Sequence, residues 1–178
     1  MPTAGSYPNF LYTMSNTDTS AISSYLSFKI GNELFAVNVA KVIEILEWAQ
    51  VTRVPQAPAF MRGVINLRGS VLPVIDTRLK FGFEVAPETV NTCIIVLEVE
   101  IENENVRLGA MADAVQEVLE LGPQDIAQPP RIGSKYQVDY ISGMVRAHEQ
   151  FIMVLDVDKV FSSDELSVIQ QPVTLADE

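Results

Sequence analysis

Short apolar runs rich in Val and Ile recur along this chain, separated by Gly, Asn or Pro. Runs of that length suit strands better than one-sided helices. About ten such runs with few helical patterns between them predict an all-β fold, a barrel or a pair of barrels. The clearest pair is Gly63-Val64-Ile65-Asn66-Leu67 and Val71-Leu72-Pro73-Val74-Ile75, with Arg68-Gly69-Ser70 between them. Gly69 takes φ > 0 without a Cβ penalty, so a tight hairpin is the simplest geometry. Arg68 then stands at the tip of a rigid apolar hairpin. That position suits a recognition contact, although charged turn tips are common and an ordinary turn with a solvated arginine is the simpler reading of these residues alone.

Charge narrows the function classes. The chain has 12 Lys and Arg against 23 Asp and Glu, eleven net negative charges over 178 residues. Binding a phosphate backbone needs clustered cations, so nucleic acid is excluded as the expected partner, and anionic membrane surfaces are disfavoured. No apolar run approaches the roughly 18 residues of a membrane span, so no direct membrane insertion is expected. Cys93 is the sole cysteine, which excludes an intrachain disulfide. A soluble, cytoplasmic protein follows as the expectation.

Taken in order, residues 1–23 lack a sustained period and read as a flexible leader. Two alternating runs about Gly31-Asn32 predict a hairpin over 25–39, followed by a helical turn running into a strand over 39–48. Pro55 and Pro58 make 52–60 a connector, with a short turn of helix after Pro58 as the alternative. Asp76 reads as the cap of a helical turn that Gly82 stops. Strands resume over 92–100 and 106–112. Residues 114–121 form a further strand or an amphipathic helical turn, and 126–136, with Pro129-Pro130, a loop. A last hairpin covers 138–146 and 150–155, and Asp156 caps a short helix over 157–161. A short C-terminal helix and a frayed tail are expected over 162–178. The polar stretch 83–91 separates two comparable strand groups, which predicts two half-size barrels sharing one core.

Catalytic chemistry is thinly supported. Asp76, Asp113 and Asp156 each end or interrupt an apolar run, where a metal or acid–base site places carboxylates; helix capping accounts for Asp76 and Asp156 equally well. Asp156-Val157-Asp158 begins like a calcium loop but lacks its later Gly and Glu. His148 is the only histidine, with no nucleophile recognisable near it, and no Gly-rich phosphate loop occurs. Met111, Met144 and Met153 read as core. No cofactor and no metal are expected. The runner-up is a small-ligand or metal-dependent β-barrel enzyme using the three aspartates.

With these residues laid out, the chain resembles the CheW family of coupling proteins. The resemblance spans 25–161 and rests on Phe28-Lys29-Ile30-Gly31-Asn32-Glu33-Leu34-Phe35, Val42-Ile43-Glu44-Ile45, Val54-Pro55-Gln56-Ala57-Pro58 and, most specifically, the block from Gly63 to Asp76. Weaker echoes lie at Ala112-Asp113-Ala114, Ile141-Ser142-Gly143 and Ile152-Met153-Val154-Leu155-Asp156. The resemblance implies one CheW-like domain over 24–161, built of two SH3-like five-stranded β-barrels sharing an apolar interface, with no catalytic activity. It implies an adaptor that bridges a chemoreceptor's cytoplasmic tip to the regulatory domain of a CheA-type histidine kinase. Such a protein is cytoplasmic and recruited to receptor arrays at the membrane. The receptor contact carries over as Val42, Glu44 and Arg68, with Ile43 and Leu67 as apolar neighbours. No motif marks the kinase contact. A strand pattern puts Val42 and Glu44 on one face. Arg68 either pairs with Glu44 within the chain or touches the receptor directly. Thr77 departs from the family's usual apolar residue after the Asp.

Overall fold

A computed structural model of the chain describes residues 21–129 and 139–161. Ten strands account for most of them: β1 Ser23–Ile30, β2 Glu33–Asn38, β3 Val42–Glu47, β4 Met61–Leu67, β5 Ser70–Ile75, β6 Cys93–Ile101, β7 Glu104–Ala112, β8 Ala114–Leu121, β9 Ile141–Ala147 and β10 Gln150–Leu155. Two short helices follow hairpins, α1 Thr77–Lys80 after β5 and α2 Val157–Val160 after β10. The helical turn foreseen before β3 is a single 3-10 turn, Val39–Lys41, whose first free amide, that of Ala40, donates to Asn38 Oδ1. Residues 114–121 are a strand, and the connector 52–60 holds turns and no helix. The expected C-terminal helix and most of the 126–136 loop lie outside the described residues.

The strands form two five-stranded sheets, in the orders β8-β1-β2-β10-β9 and β3-β6-β7-β5-β4. We term these barrels A and B. The all-β, two-barrel expectation therefore holds, but the expected division at 83–91 does not. After β2 the 3-10 turn carries the chain out of barrel A, and β3 pairs with β6, beyond the polar stretch. The return exchange is β8, which leaves β7 and pairs with β1. Each barrel thus takes two strands from one half of the chain and three from the other.

This exchange follows an internal two-fold repeat. Substituting β3, β6, β7, β5 and β4 for β8, β1, β2, β10 and β9 turns one sheet order into the other. Gly63, Asp76 and Phe81 recur at one constant spacing as Gly143, Asp156 and Phe161. At Gly63 and Gly143 a Cβ would collide with a neighbouring segment, at Thr52 and at Ile126 respectively.

Strand alternation sorts the core into three clusters. Cys93, Ile95, Leu97, Val99 and Ile101 of β6 face Leu26, Phe28, Ile30, Phe35 and Val37 of β1 and β2, forming the cluster shared by the barrels. The intervening Ile94 and Val96 join Ile65, Leu72, Val74 and Met111 inside barrel B. Ala36, Leu121, Val145, Ile152 and Val154 fill barrel A. A strand with both faces apolar in this way reads as a continuous hydrophobic run, and 93–97 is one.

Candidate functional site

The β4–β5 hairpin closes through Arg68 and Gly69, with φ of 50° and 86°. A two-residue turn with both central φ positive has the twist that adjoining strands need. Asn66 Oδ1 accepts the Gly69 amide at 2.8 Å and braces the turn from within. Arg68 is thereby held with its side chain 74% exposed.

Its guanidinium reaches back to β3. Arg68 Nη1 donates to Glu44 Oε1 at 2.6 Å and Nη2 to Oε2 at 2.8 Å, a bidentate pair between a hairpin tip and an edge strand. The two hydrogen bonds from Arg68 hold the Glu44 carboxyl below the usual carboxylate range, against a smaller opposing effect of burial. Of the two arrangements foreseen for Arg68, the structure shows the internal pair. Three of the guanidinium's five N–H bonds remain directed elsewhere.

Val42 and Glu44 do not share a face. Val42 lies opposite Leu97 and Glu44 opposite Val96, so Ile43 is an extra residue in the ladder, a β-bulge. Directly opposed residues share a face, which turns Val42 toward the shared core and Glu44 toward the barrel B side. Val42 and Leu67 are partly buried supports, packed on the shared cluster and on the barrel B cluster. Ile43 is 40% exposed and presents the apolar surface beside the ion pair. Sequence reasoning missed Val39 and Ile45, which extend this exposed apolar edge on either side. The alternation of Val42-Ile43-Glu44-Ile45 was the available signal for Ile45.

Beyond Ile45 a groove of about 320 Å³ opens between the barrels, lined by Ile45, Glu47, Val90, Cys93, Ala114 and Val115 among others. The Cys93 thiol at this groove is pushed up in pKa, chiefly by burial.

The three aspartates of the enzyme reading have separate duties. Asp76 accepts the Arg78 and Leu79 amides at the start of α1, and Asp156 accepts the Asp158 amide at the start of α2. Asp113 accepts the Gly31 amide at 2.6 Å and Arg78 Nη2 at 2.5 Å, joining the β1–β2 hairpin of barrel A to α1. Asp158 does the converse, accepting the Glu100 amide of barrel B and Lys41 Nζ, which raises the Lys41 pKa. Among the described residues no three His, Cys, Asp or Glu side chains are placed to hold a metal ion. His148 stands at the β9–β10 tip, 3.4 Å from a Glu117 carboxylate oxygen. The geometry does not favour the metal-dependent reading.

Comparison with known proteins gives one family. The CheW-like domain matches residues 24–165. The chain is 36% identical over 140 residues to a chemotaxis protein CheW of Rhizobium meliloti, covering 79% of this chain and 88% of the relative. It is 34% identical over 146 residues to that of Klebsiella aerogenes, covering 82% and 85%. The solved structure of the scaffolding protein TtCheW from Thermoanaerobacter tengcongensis superposes with a TM-score of 0.69 at 26% identity, covering 80% of this chain and 90% of that one.

Proposed function

This chain belongs to the CheW family of chemotaxis scaffold proteins, and from that premise we propose that it couples a chemoreceptor's cytoplasmic tip to a CheA-type histidine kinase without catalysing a reaction. Residues 24–161 act as one domain in this reading. Recruitment to receptor arrays at the membrane follows from the receptor contact, and no described helix is long and apolar enough to cross a membrane.

The observation that carries the reading is the fixed guanidinium of Arg68 beside exposed Ile43. A helical hairpin is recognised by an apolar surface with a few oriented polar groups at its edge. Ile43 supplies apolar contact, and the free N–H bonds of Arg68 meet receptor carbonyls or carboxylates. Glu44 is the positioning residue: it fixes the guanidinium plane before the partner arrives, which lowers the ordering cost of binding. Val42 and Leu67 support the two strands from beneath.

Binding of the purified protein to a receptor cytoplasmic fragment and to a kinase regulatory domain tests this. Wild type binds both, and Arg68→Glu loses receptor binding while keeping the kinase domain. The swapped variant Arg68→Glu/Glu44→Arg rebuilds the internal pair on the opposite strand. Restored receptor binding assigns the pair a purely structural part, whereas continued loss assigns Arg68 a direct contact. Absence of binding to either partner by folded wild type rejects the coupling reading.

A further inference from the structure

Equivalent core positions of the two halves hold residues of similar size. Ile65, Leu72, Val74 and Ile75 recur, at the spacing that relates Gly63 to Gly143, as Val145, Ile152, Val154 and Leu155, all of them buried. Apolar residues of about the right volume suffice to fill a core. These positions therefore do not decide whether residues 1–88 take strands from residues 89–178 or from a like half. Charge differs where packing does not. Residues 1–88 hold seven Lys and Arg against seven Asp and Glu, whereas residues 89–178 hold five against sixteen. The whole acidic excess belongs to the second half.

Two ion pairs join elements of different halves, and they occupy equivalent places. Arg78 and Asp158 are each the second residue of the helix that follows the last strand of a half, α1 or α2. Lys41 and Asp113 each stand immediately before the strand that crosses to the other barrel, β3 or β8. In the folded chain Arg78 Nη2 lies 2.5 Å from Asp113 Oδ2, and Lys41 Nζ lies 2.9 Å from Asp158 Oδ2. A backbone amide anchors each carboxylate as well, that of Gly31 on Asp113 and that of Glu100 on Asp158. Both times the cation comes from the first half and the carboxylate from the second.

Pairing of like halves reverses those contacts. The helix of one half then meets the crossover of the same kind of half, whether one half closes on itself or two copies of it pair. Arg78 faces Lys41 there, and Asp158 faces Asp113. Opposed like charges cost about as much as opposite charges gain. One partly exposed pair shifts an equilibrium only a few-fold, but four such effects act together, two attractions lost and two repulsions gained. We propose that these two ion pairs are a pairing code for folding. Among arrangements that the cores accept alike, they select the one in which each half takes strands from the unlike half. The device is separate from the Arg68 tip and does not depend on the receptor reading.

Refolding of the full chain from urea, followed by amide NMR, tests it. Reversing one pair, as Arg78→Asp/Asp113→Arg, keeps attraction at both native contacts but makes the like-half contacts attractive too. Lys41→Asp/Asp158→Lys does the same from the other side. All four substitutions together restore the selection with its polarity inverted. Wild type and the four-fold variant should each give one set of amide signals. Each two-fold variant should add a second set at Val42, Leu79, Ala114 and Lys159, at least about tenfold stronger than any such set in wild type. Ion pairs that only support the fold predict another order, because the four-fold variant loses both amide contacts and is the least stable. A single native set in both two-fold variants overturns the proposal, and so does a second set that persists in the four-fold variant. Failure of the four-fold variant to fold overturns it as well, since the native polarity is then needed for stability itself.

Discussion

At Asp76 a carboxylate only 3% exposed accepts the Arg78 and Leu79 amides, at 3.0 and 3.4 Å. Its counterpart Asp156 is more open and accepts only the Asp158 amide, at 3.2 Å. Removing a cap leaves orphan donors and costs about 1–2 kcal/mol, most where water cannot replace it. Asp76→Ala should therefore lower the urea-unfolding free energy by about 2 kcal/mol and Asp156→Ala by about 1. Equal losses at both would show that burial of the cap does not matter. Glu44 offers a pH test. Its folded-state pKa lies below the ordinary 4.5, because the Arg68 hydrogen bonds favour the charged form. The pair's stabilising effect is then fully present above the unfolded-state pKa and is lost as pH falls through the lower folded value. The Glu44 carboxyl carbon should titrate with a midpoint below 4.5 in wild type and move up in Arg68→Ala. An unmoved midpoint would mean that the ion pair does not persist in solution.

Among the elements, the β4–β5 hairpin was legible because its signals agree: two β-branched runs, a Gly at the turn and a capping Asp after the second strand. The bulge in β3 was not. Val42-Ile43-Glu44-Ile45 alternates as an unbroken strand does, and the extra residue at Ile43 exists only relative to β6, its partner across the polar stretch. Register between distant strands is a tertiary property that no local period encodes. Hence the pair Glu44–Arg68 could be put forward as one of two arrangements, while the orientation of Val42 was misread. Glycines give this scale its test. Gly69 has φ 86° with open space around it, so Gly69→Ala should cost about 1–2 kcal/mol from backbone conformation alone. Gly63, with φ 148°, sits against the Thr52 carbonyl, and alanine there must push the connector off β4. Gly63→Ala should cost about 3 kcal/mol or more and broaden the amide signals of 51–58. A loss no larger than at Gly69 would place that contact wrongly.

For the whole molecule, strand exchange makes the two barrels interdependent. Each half reads as one half-size barrel leaning on a shared core, because each half does contain five strands. What the sequence hides is that β3, β4 and β5 complete the sheet of β6 and β7, while β8, β9 and β10 complete that of β1 and β2. The internal repeat explains the ambiguity: equivalent strands of the two halves carry similar patterns, so either pairing satisfies the same alternation. The shared cluster adds to the dependence, since β6 contributes one face to it and the other to barrel B. Unfolding should accordingly be one transition, with calorimetric and van't Hoff enthalpies equal. Cutting the chain within the polar stretch separates the two possibilities. If each half formed its own barrel, residues 1–88 and 89–178 would each melt cooperatively when expressed alone. With the strands exchanged, each half holds only parts of two sheets with their edges and apolar faces uncovered, and should be unfolded or aggregated in isolation. Expressed together, the two halves should reassemble into a one-to-one complex that melts in one step, because every missing strand is supplied by the other fragment. A cooperative melt of either fragment alone would contradict the exchanged topology.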